Sequence, residues 1–193
     1  LDYPISVKDD KNCVMVDELE GLIECKNLTF TYPGAQNPSL ENISFTIRPK
    51  EKIGIIGKTG CGKTTLVDLL TRIYNVDEGC LYIDGIDIMQ LPIQKVRDLI
   101  SYVPQDNFLF NDTILNNIAF SQKSLSLEQA ILFAKYACVD DNIQEFPLKY
   151  ETMIGERGVS LSGGQKQRIS MARAMAKNAK ILILDDSVSA VDT

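Results

Sequence analysis

Residues 57–64 constrain this chain most, because a glycine-rich run stands here between an apolar segment and an amphipathic one. The run fits the pattern GxxxxGK[ST] without a gap. The apolar residues 51–56 (EKIGII) predict a strand before it, and residues 63–74 predict a helix after it. A strand that enters a glycine-rich turn and continues as a helix is the setting in which this pattern forms a phosphate-binding loop.

The residue types in this loop suit a nucleotide triphosphate. Glycines allow backbone N–H groups to turn inward around phosphate oxygens, and the start of a helix adds partial positive charge. Lys63 is expected to reach the β- and γ-phosphates, and the Thr64 hydroxyl is expected to bind Mg²⁺. The predicted phosphate site comprises Gly57, Lys58, Thr59, Gly60, Cys61, Gly62, Lys63, Thr64 and Thr65. A chance glycine-rich turn is the simpler alternative, and the flanking strand and helix patterns argue against it.

Composition excludes several other classes of protein. The formal net charge of −6 and the pI of about 4.8 argue against nucleic acid as the main partner, because phosphate backbones are bound by basic surfaces. The chain has five cysteines, no CxxC pair and no histidine, which argues against a zinc site or a disulfide framework and favours a reducing, cytosolic setting. No apolar run approaches the roughly 20 residues of a membrane helix.

The order of predicted elements indicates an α/β fold. Residues 22–32 and 39–47 predict an antiparallel strand pair around the turn-forming sequence PGAQNP. Further predicted elements are strands at 79–83 and 100–103, helices at 92–99, from Ser126 onward and at 163–177, and a strand at 180–184. Ser126 and Gln129 have the spacing of a capping box. The last strand (KILIL) is continuously apolar, as in strands buried on both faces of a parallel sheet. This order predicts an α/β core with an appended antiparallel β region and an inserted helical part.

Two motifs in the second half carry a family resemblance. The apolar strand ends at Asp185, and in a P-loop fold such a carboxylate holds Mg²⁺, usually through water. Before it stands the sequence LSGGQ, residues 161–165, which resembles the signature of the ABC ATPase family. The resemblance implies a P-loop NTPase (RecA-like) core with a β subdomain and a helical subdomain at about 106–170. It also implies that 1–20 is a linker from a missing transmembrane domain, and that 21–193 is an ATPase domain lacking the switch-histidine region.

The resemblance assigns roles to further residues. In the family the signature contacts the γ-phosphate of ATP held by a second domain, which implies a head-to-tail dimer and a role for Ser162, Gly163, Gly164 and Gln165. A helix cap at Ser162 is compatible with that role. Tyr32 resembles the aromatic residue that stacks on adenine, although it could be an ordinary strand tyrosine. Gln105 resembles the glutamine that touches Mg²⁺. The sequence SAVD at 189–192, which ends in Asp192, resembles the loop that crosses the dimer interface.

Three segments are similar to the exporter branch of the family. They are TMIGERG at 152–158, FLFNDTILNNI at 108–118, and the acidic lead-in followed by ELEGLIECKNLTFTYPG. The chain is therefore expected to power transport from the cytoplasmic face of a cell membrane, beside its own transmembrane domain and without nucleic acid. The alternatives are a soluble ABC ATPase of DNA repair or ribosomes, and a mainly ATP-binding regulatory half. Family members of DNA repair insert a long coiled coil before the signature, and residues 105–162 leave no room for it. A P-loop GTPase or kinase would leave LSGGQ unexplained, and no NKxD motif is present.

Asp186 departs from the family pattern. ABC ATPases usually carry Glu directly after the Mg²⁺-binding Asp, where it orients the attacking water, and this chain has a carboxylate one methylene shorter. A displacement of about 1 Å can cost about 10²-fold in rate. The predicted catalytic residues are Lys63, Gln105 and Asp186, and the hypothesis is that this subunit is the degenerate half of a heterodimeric exporter. A homodimer with slow turnover, or an Asp that substitutes with modest loss, is the competing interpretation.

Overall fold

The computed structural model describes residues 7–10, 13–155 and 159–185. The chain divides into two compact units, Leu1–Ile100 and Ser101–Thr193. Within the described residues, no helix has the length and apolar character that crossing a membrane requires.

The first unit is built on a four-stranded antiparallel sheet in the order β2–β1–β3–β4. Its strands are β1 (Ile23–Phe30), β2 (Leu40–Ile47), β3 (Leu81–Ile83) and β4 (Ile86–Asp87). Ile23 pairs with Ile47 on one side and with Ile83 on the other, so β1 lies inside the sheet. Because β-branched and large apolar side chains alternate into one face, Leu28, Leu81 and Ile83 are fully buried. The predicted antiparallel pair is confirmed.

Two helices accompany this sheet, α1 (Lys63–Leu70) and α2 (Ile93–Leu99), with a 3₁₀ turn at Ile88–Gln90. The N-cap of α2 is Pro92, whose side chain offers no hydrogen-bond acceptor. The first N–H of the helix, at Ile93, donates instead to Asp9 Oδ1 at 2.7 Å, a residue distant in the sequence. The helix α1 ends earlier than the predicted residue 74, because the backbone at Arg72 turns to a positive φ of 53°.

The second unit is mainly helical. Its elements are β5 (Ile100–Val103), whose first residue is the last of the first unit, α3 (Ile114–Ile118), α4 (Leu127–Tyr136), α5 (Asp140–Gln144), α6 (Gly163–Ala176) and β6 (Ile181–Leu184), with 3₁₀ turns at Ala119–Ser121 and Lys149–Glu151. Small and branched apolar side chains of α3, α4 and α6 form one core that includes Ile114, Ile118, Ala130, Ala134, Ile169 and Ala172. The capping box predicted at Ser126 and Gln129 is present at the start of α4.

The predicted strand at 51–56 is wrong. These residues form no strand, and Ile53, Ile55 and Ile56 are 49%, 52% and 99% exposed. A strand exists only where a neighbour takes up its backbone N–H and C=O groups, and the described residues supply no ladder partner here. Apolar composition alone did not reveal this lack of a partner.

The last strand is present, but its predicted burial on both faces is wrong. Within the described residues β6 pairs with β5 in a two-stranded sheet, and Leu182 and Leu184 are 43% and 39% exposed. Alternate side chains of a strand point to opposite faces, so a sheet covered on one face leaves every second residue exposed.

Candidate functional site

The phosphate loop of the first unit is closed around the ammonium of Lys63. Lys63 Nζ donates to the carbonyl oxygens of Gly57 at 2.8 Å and Lys58 at 3.1 Å. The loop is tightened by a bond from the Cys61 N–H to the Lys58 carbonyl at 3.2 Å. The positive charge that the sequence assigned to phosphate binding therefore lies within the loop itself.

Gly62 makes this loop possible and leaves the start of α1 open to an anion. Its φ is +92°, and a Cβ at this position would lie 2.6 Å from both Leu40 Cδ2 and the Ser39 carbonyl oxygen. As the N-cap of α1, Gly62 offers no side chain to the first-turn N–H groups, and that turn contains no acidic residue. Helix N–H groups without a side-chain cap and a neighbouring ammonium suit the phosphates of a nucleotide.

Tyr32 lies beside the phosphate loop's helix. Its hydroxyl donates to Thr65 Oγ1 at 3.0 Å, and Thr65 is only 6% exposed on α1. The rings of Phe30 and Tyr74 lie against the Tyr32 ring. Neither Phe30 nor Tyr74 could be predicted as a neighbour, since no pattern in the sequence links either residue to Tyr32.

The candidate Mg²⁺ ligands are divided between the two units. Thr64 lies in the first turn of α1, whereas Gln105 and Asp185 follow β5 and β6 in the second unit. The Asp185 N–H donates to the Val103 carbonyl at 3.0 Å, so Gln105 and Asp185 stand just beyond two paired strands. Hydroxyl, amide and carboxylate oxygens are the donors that Mg²⁺ prefers, so these residue types fit the ion.

Asp185 also has a hydrogen-bond partner that no sequence motif indicates. The Tyr102 hydroxyl donates to Asp185 Oδ2 at 3.2 Å. Tyr102 lies on β5, and Asp185 directly follows β6. The two residues are close only because β5 and β6 pair, which no local sequence pattern indicates.

The signature residues start α6 with a capping box. Ser162 Oγ accepts from the Gln165 N–H at 3.2 Å, and Gln165 Oε1 accepts from the Ser162 N–H at 2.9 Å. The predicted N-cap at Ser162 is confirmed, and the Gln165 side chain is used within the cap. Ser162 and Gly163 are exposed, and the first turn of α6 contains no acidic residue, so this helix start can also receive an anion.

Two segments similar to exporters lie side by side in the second unit. The Ile114 N–H donates to the Thr152 carbonyl at 3.1 Å, and the Ile154 N–H donates to the Asp112 carbonyl at 3.0 Å. Residues of 108–118 are thereby joined to residues 152–155. The remaining residues of this motif, 156–158, lie outside the described residues.

Arg173 and Asn117 hold the segment 108–118 in place by hydrogen bonds, and this segment carries exposed aromatic rings. Arg173 of α6 donates to the Asn117 carbonyl at 2.7 Å, to Asn117 Oδ1 at 2.6 Å and to the Phe108 carbonyl at 2.9 Å. The rings of Phe110 and Phe120 stack at 4.3 Å, and Phe108 lies edge-on to Phe110. We call Phe108, Phe110 and Phe120 the aromatic patch; Phe108 is 67% exposed.

The remaining predicted site residues, Asp186 and Asp192, lie outside the described residues, which end at Asp185.

Comparisons with known proteins identify the family. The model of the family described as "ABC transporter" matches residues 40–189. The "ATP-dependent lipid A-core flippase" of Methylobacillus flagellatus is 48% identical over 179 residues, which are 92% of this chain and 31% of that protein. The "Probable multidrug resistance ABC transporter ATP-binding/permease protein YheI" of Bacillus subtilis is 44% identical over 195 residues, which are 100% of this chain and 33% of that protein.

A solved structure gives the same result for the fold. The chain resembles "Structure of a bacterial Atm1-family ABC exporter with ATP bound" with a TM-score of 0.91 and 38% identity, over 100% of this chain and 33% of that one. The chain thus spans about a third of the length of these relatives. Its fold is that of an ABC ATPase, a P-loop NTPase of mixed α and β content. With the family model covering most of its length, the chain belongs to the ABC transporter family.

Proposed function

We propose that this chain is the ATP-binding and ATP-hydrolysing domain of an ABC exporter, acting at the cytoplasmic face of a membrane. The observation that carries the proposal is the phosphate loop, in which Lys63 is bonded to Gly57 and Lys58 beside the start of α1, which has no side-chain cap. The relatives are named as flippase and multidrug transporter proteins, which favours the exporter branch over a soluble ABC ATPase of DNA repair or ribosomes.

The nucleotide is bound by its two ends. Backbone N–H groups of residues 57–65 and the Lys63 ammonium hold the phosphates, where charge-assisted hydrogen bonds are strongest. The Tyr32 ring stacks on adenine. Its hydroxyl is held by a hydrogen bond to Thr65 on α1, the helix that follows the phosphate loop. The base and the phosphates therefore bind to parts of one unit.

Thr64, Gln105 and Asp185 would hold Mg²⁺, which supplies neutralisation of the phosphate charge. Tyr102 orients the Asp185 carboxylate by donating to one of its oxygens. Asp186, the next residue, would orient the attacking water and accept its proton.

The signature would bind the ATP of a second domain. Ser162 and Gly163 are exposed at the start of α6, Gly164 follows them, and the first turn contains no acidic residue. The N–H groups of this helix start would stabilise the γ-phosphate across a head-to-tail dimer interface. Asp192 would belong to the same interface. The free energy of ATP binding then favours the closed dimer over the open one.

The membrane domain would dock on the aromatic patch. Phe108 and Phe120 are 67% and 55% exposed, and large exposed apolar surfaces mark interaction sites. The neighbouring residues 152–155 belong to the second segment similar to exporters. In this proposal 1–20 is the linker from that membrane domain, 21–193 is the ATPase domain, and about 106–170 is its helical subdomain.

Asp186 favours a specialised role within a pair of ATPase domains. The shorter carboxylate slows hydrolysis at this chain's own phosphate loop, while its signature completes the competent site of a different subunit. A heterodimer is the arrangement that uses both features.

ATP turnover of the intact protein tests these proposals. Lys63→Ala should remove whatever Mg²⁺-dependent phosphate release the wild type shows, and Asp186→Glu should raise turnover well above that of the wild type. Wild-type turnover on the order of 1–10 s⁻¹ without a partner subunit would overturn the degenerate-half proposal. Turnover that survives Lys63→Ala in a protein of unchanged thermal stability would overturn the ATPase assignment itself.

A further inference from the structure

Three aromatic rings form a cluster beside the phosphate loop. The ring centroids of Tyr32 and Tyr74 are 5.0 Å apart with their planes at 83°, and those of Phe30 and Tyr32 are 5.1 Å apart at 81°. Phe30 and Tyr74 also contact each other at 5.9 Å. Edge-to-face pairs hold a preferred angle, because the electron-rich face of one ring attracts the positive edge of the other. Two nearly perpendicular neighbours therefore fix the plane of the Tyr32 ring.

The hydroxyl fixes the other end of the same ring. It donates to Thr65 Oγ1 at 3.0 Å and lies 3.4 Å from Asp68 Oδ2. Both partners belong to α1, and Thr65 is 6% exposed, so this anchor is rigid. Tyr32 is thus held at its hydroxyl and against its ring.

Tyr74 is itself held by an anchored stretch of backbone. The helix α1 ends at Leu70, and Arg72 follows with a buried side chain whose Nη1 donates to the Ile88 carbonyl at 2.6 Å. The Arg72 carbonyl accepts from Arg97 Nη2 at 2.9 Å, and the Ile73 N–H donates back to the Asp68 carbonyl at 2.8 Å. These bonds fix the backbone on the residues just before Tyr74.

We propose that Tyr74 is a positioning residue for nucleotide binding, which sets the plane of the Tyr32 ring to receive the adenine base. The inference rests on the proposed function, because it requires Tyr32 to stack on adenine. Stacking depends on parallel overlap of two ring faces, so a Tyr32 ring that is free to rotate loses part of the interaction. Tyr74 acts through Tyr32 and contributes to the base, not to the phosphates.

Two ligands separate a base effect from a general loss of structure. Mg²⁺-ATP carries a base and phosphates, whereas Mg²⁺-tripolyphosphate carries the phosphates alone. Titration calorimetry of the intact protein measures the affinity for each. The variants are Tyr74→Leu, Tyr74→Phe and Tyr32→Ala, and Tyr136→Leu is the matched control because Tyr136 is an exposed tyrosine at the end of α4.

The expected result is a selective loss. Tyr32→Ala should weaken ATP binding by about tenfold or more, as for loss of one stacked base. Tyr74→Leu should weaken ATP binding by about threefold to tenfold, the size of an edge-to-face contribution, with tripolyphosphate affinity unchanged. Tyr74→Phe should keep wild-type affinity because the ring contact remains, and Tyr136→Leu should have no effect on either ligand.

Three results would overturn the inference. Unchanged ATP affinity in Tyr74→Leu, beside a clear loss in Tyr32→Ala, would refute the role of Tyr74 and leave the stacking proposal standing. Equal weakening of both ligands by Tyr74→Leu would show a structural role only. Unchanged ATP affinity in Tyr32→Ala would refute adenine stacking on Tyr32, and the role of Tyr74 would fall with it.

Discussion

Cys61 is the residue whose chemistry reports most directly on the phosphate loop. Its side chain is exposed, and its sulfur lies 3.9 Å from Lys63 Nζ. The same sulfur occupies the space that a Cβ on Gly57 would need. The Cys61 side chain therefore lies next to Lys63 and Gly57, two residues of the predicted phosphate site.

We predict that bound ATP protects Cys61 from alkylation by N-ethylmaleimide, and that prior alkylation prevents ATP binding. Cys138 is the internal control, because it is also exposed but belongs to the other unit. Mass spectrometry of labelled peptides measures both cysteines in one sample. Equal labelling of Cys61 with and without ATP, while ATP is bound, would place the nucleotide elsewhere.

A second cysteine should affect stability through its protonation. Burial raises the pKa of Cys25 from 9.0 to about 11, with a smaller opposing effect from a backbone hydrogen bond at Leu28. Between these two values the thiol is ionised in the unfolded chain but protonated in the folded one, so the free energy of unfolding falls as pH rises. Below pH 9 the thiol is protonated in both states and makes no difference.

The predicted loss is at most about 3 kcal/mol between pH 8.5 and 11, at 1.36 kcal/mol per pKa unit. Cys25→Ala should lack this part of the pH dependence, and chemical denaturation of the two proteins at both pH values measures the difference. Identical pH slopes for wild type and variant would contradict the assignment.

At the scale of elements, α6 and the segment at 108–110 depend on each other through Arg173. Burial lowers the pKa of Arg173. The Asn117 side chain has no exposed area, and its Nδ2 donates to the carbonyls of Phe110 and Thr113 at 3.0 and 2.9 Å. Loss of the guanidinium would remove the donor to the Asn117 and Phe108 carbonyl oxygens, whereas Asn117 Oδ1 would keep its bond from the Phe110 N–H.

We predict that Arg173→Leu lowers the free energy of unfolding by about 1–3 kcal/mol, because the carbonyl of the fully buried Asn117 loses its guanidinium donor. Hydrogen exchange should also become faster at the Phe110 amide, which is bonded to Asn117 Oδ1. Arg168→Leu is the matched control on the same helix, since the bond from Arg168 Nη2 to Asn142 Oδ1 is long, at 3.5 Å. A loss in Arg173→Leu no larger than in Arg168→Leu would refute the role of Arg173.

The sequence predicted those elements whose signals are local. The capping box at Ser126 joins residues three positions apart, and the cap at Ser162 precedes its helix directly. The strand pair 23–30 and 40–47 is set by alternation around one turn. The failure at 51–56 and the exposure of Leu182 have a different origin. Whether an apolar segment is paired and covered depends on distant partners, which local composition does not encode.

The residues of the candidate site also fall into those that the sequence predicts and those that it does not. The phosphate loop and the signature are contiguous motifs, so their residues could be named from the sequence. Tyr74 beside Tyr32, Tyr102 on Asp185 and Arg173 on Asn117 join residues far apart in the chain, and only the fold brings them together.

At the scale of the whole molecule, a membrane domain that docks on the aromatic patch is the proposed partner. We predict that a photo-crosslinker placed at Phe108→Cys in the intact, membrane-embedded protein captures a membrane-domain segment. The same crosslinker at Tyr136→Cys, an equally exposed position of the same unit, is the control. Capture at position 136 but not at 108 would move the docking surface away from the patch.

The central claim, that residues 57–65 bind ATP through its phosphates, is tested most directly by the dissociation constant of Mg²⁺-ATP for Lys63→Ala. Lys26→Ala is the control, because Lys26 is a lysine of the same unit whose side chain is 54% exposed and lies over Tyr82. We predict that Lys63→Ala binds Mg²⁺-ATP at least about tenfold more weakly, the effect of losing a hydrogen bond to a charged group, while Lys26→Ala binds as the wild type does. Equal affinity of wild type and Lys63→Ala, in folded proteins, would contradict the account.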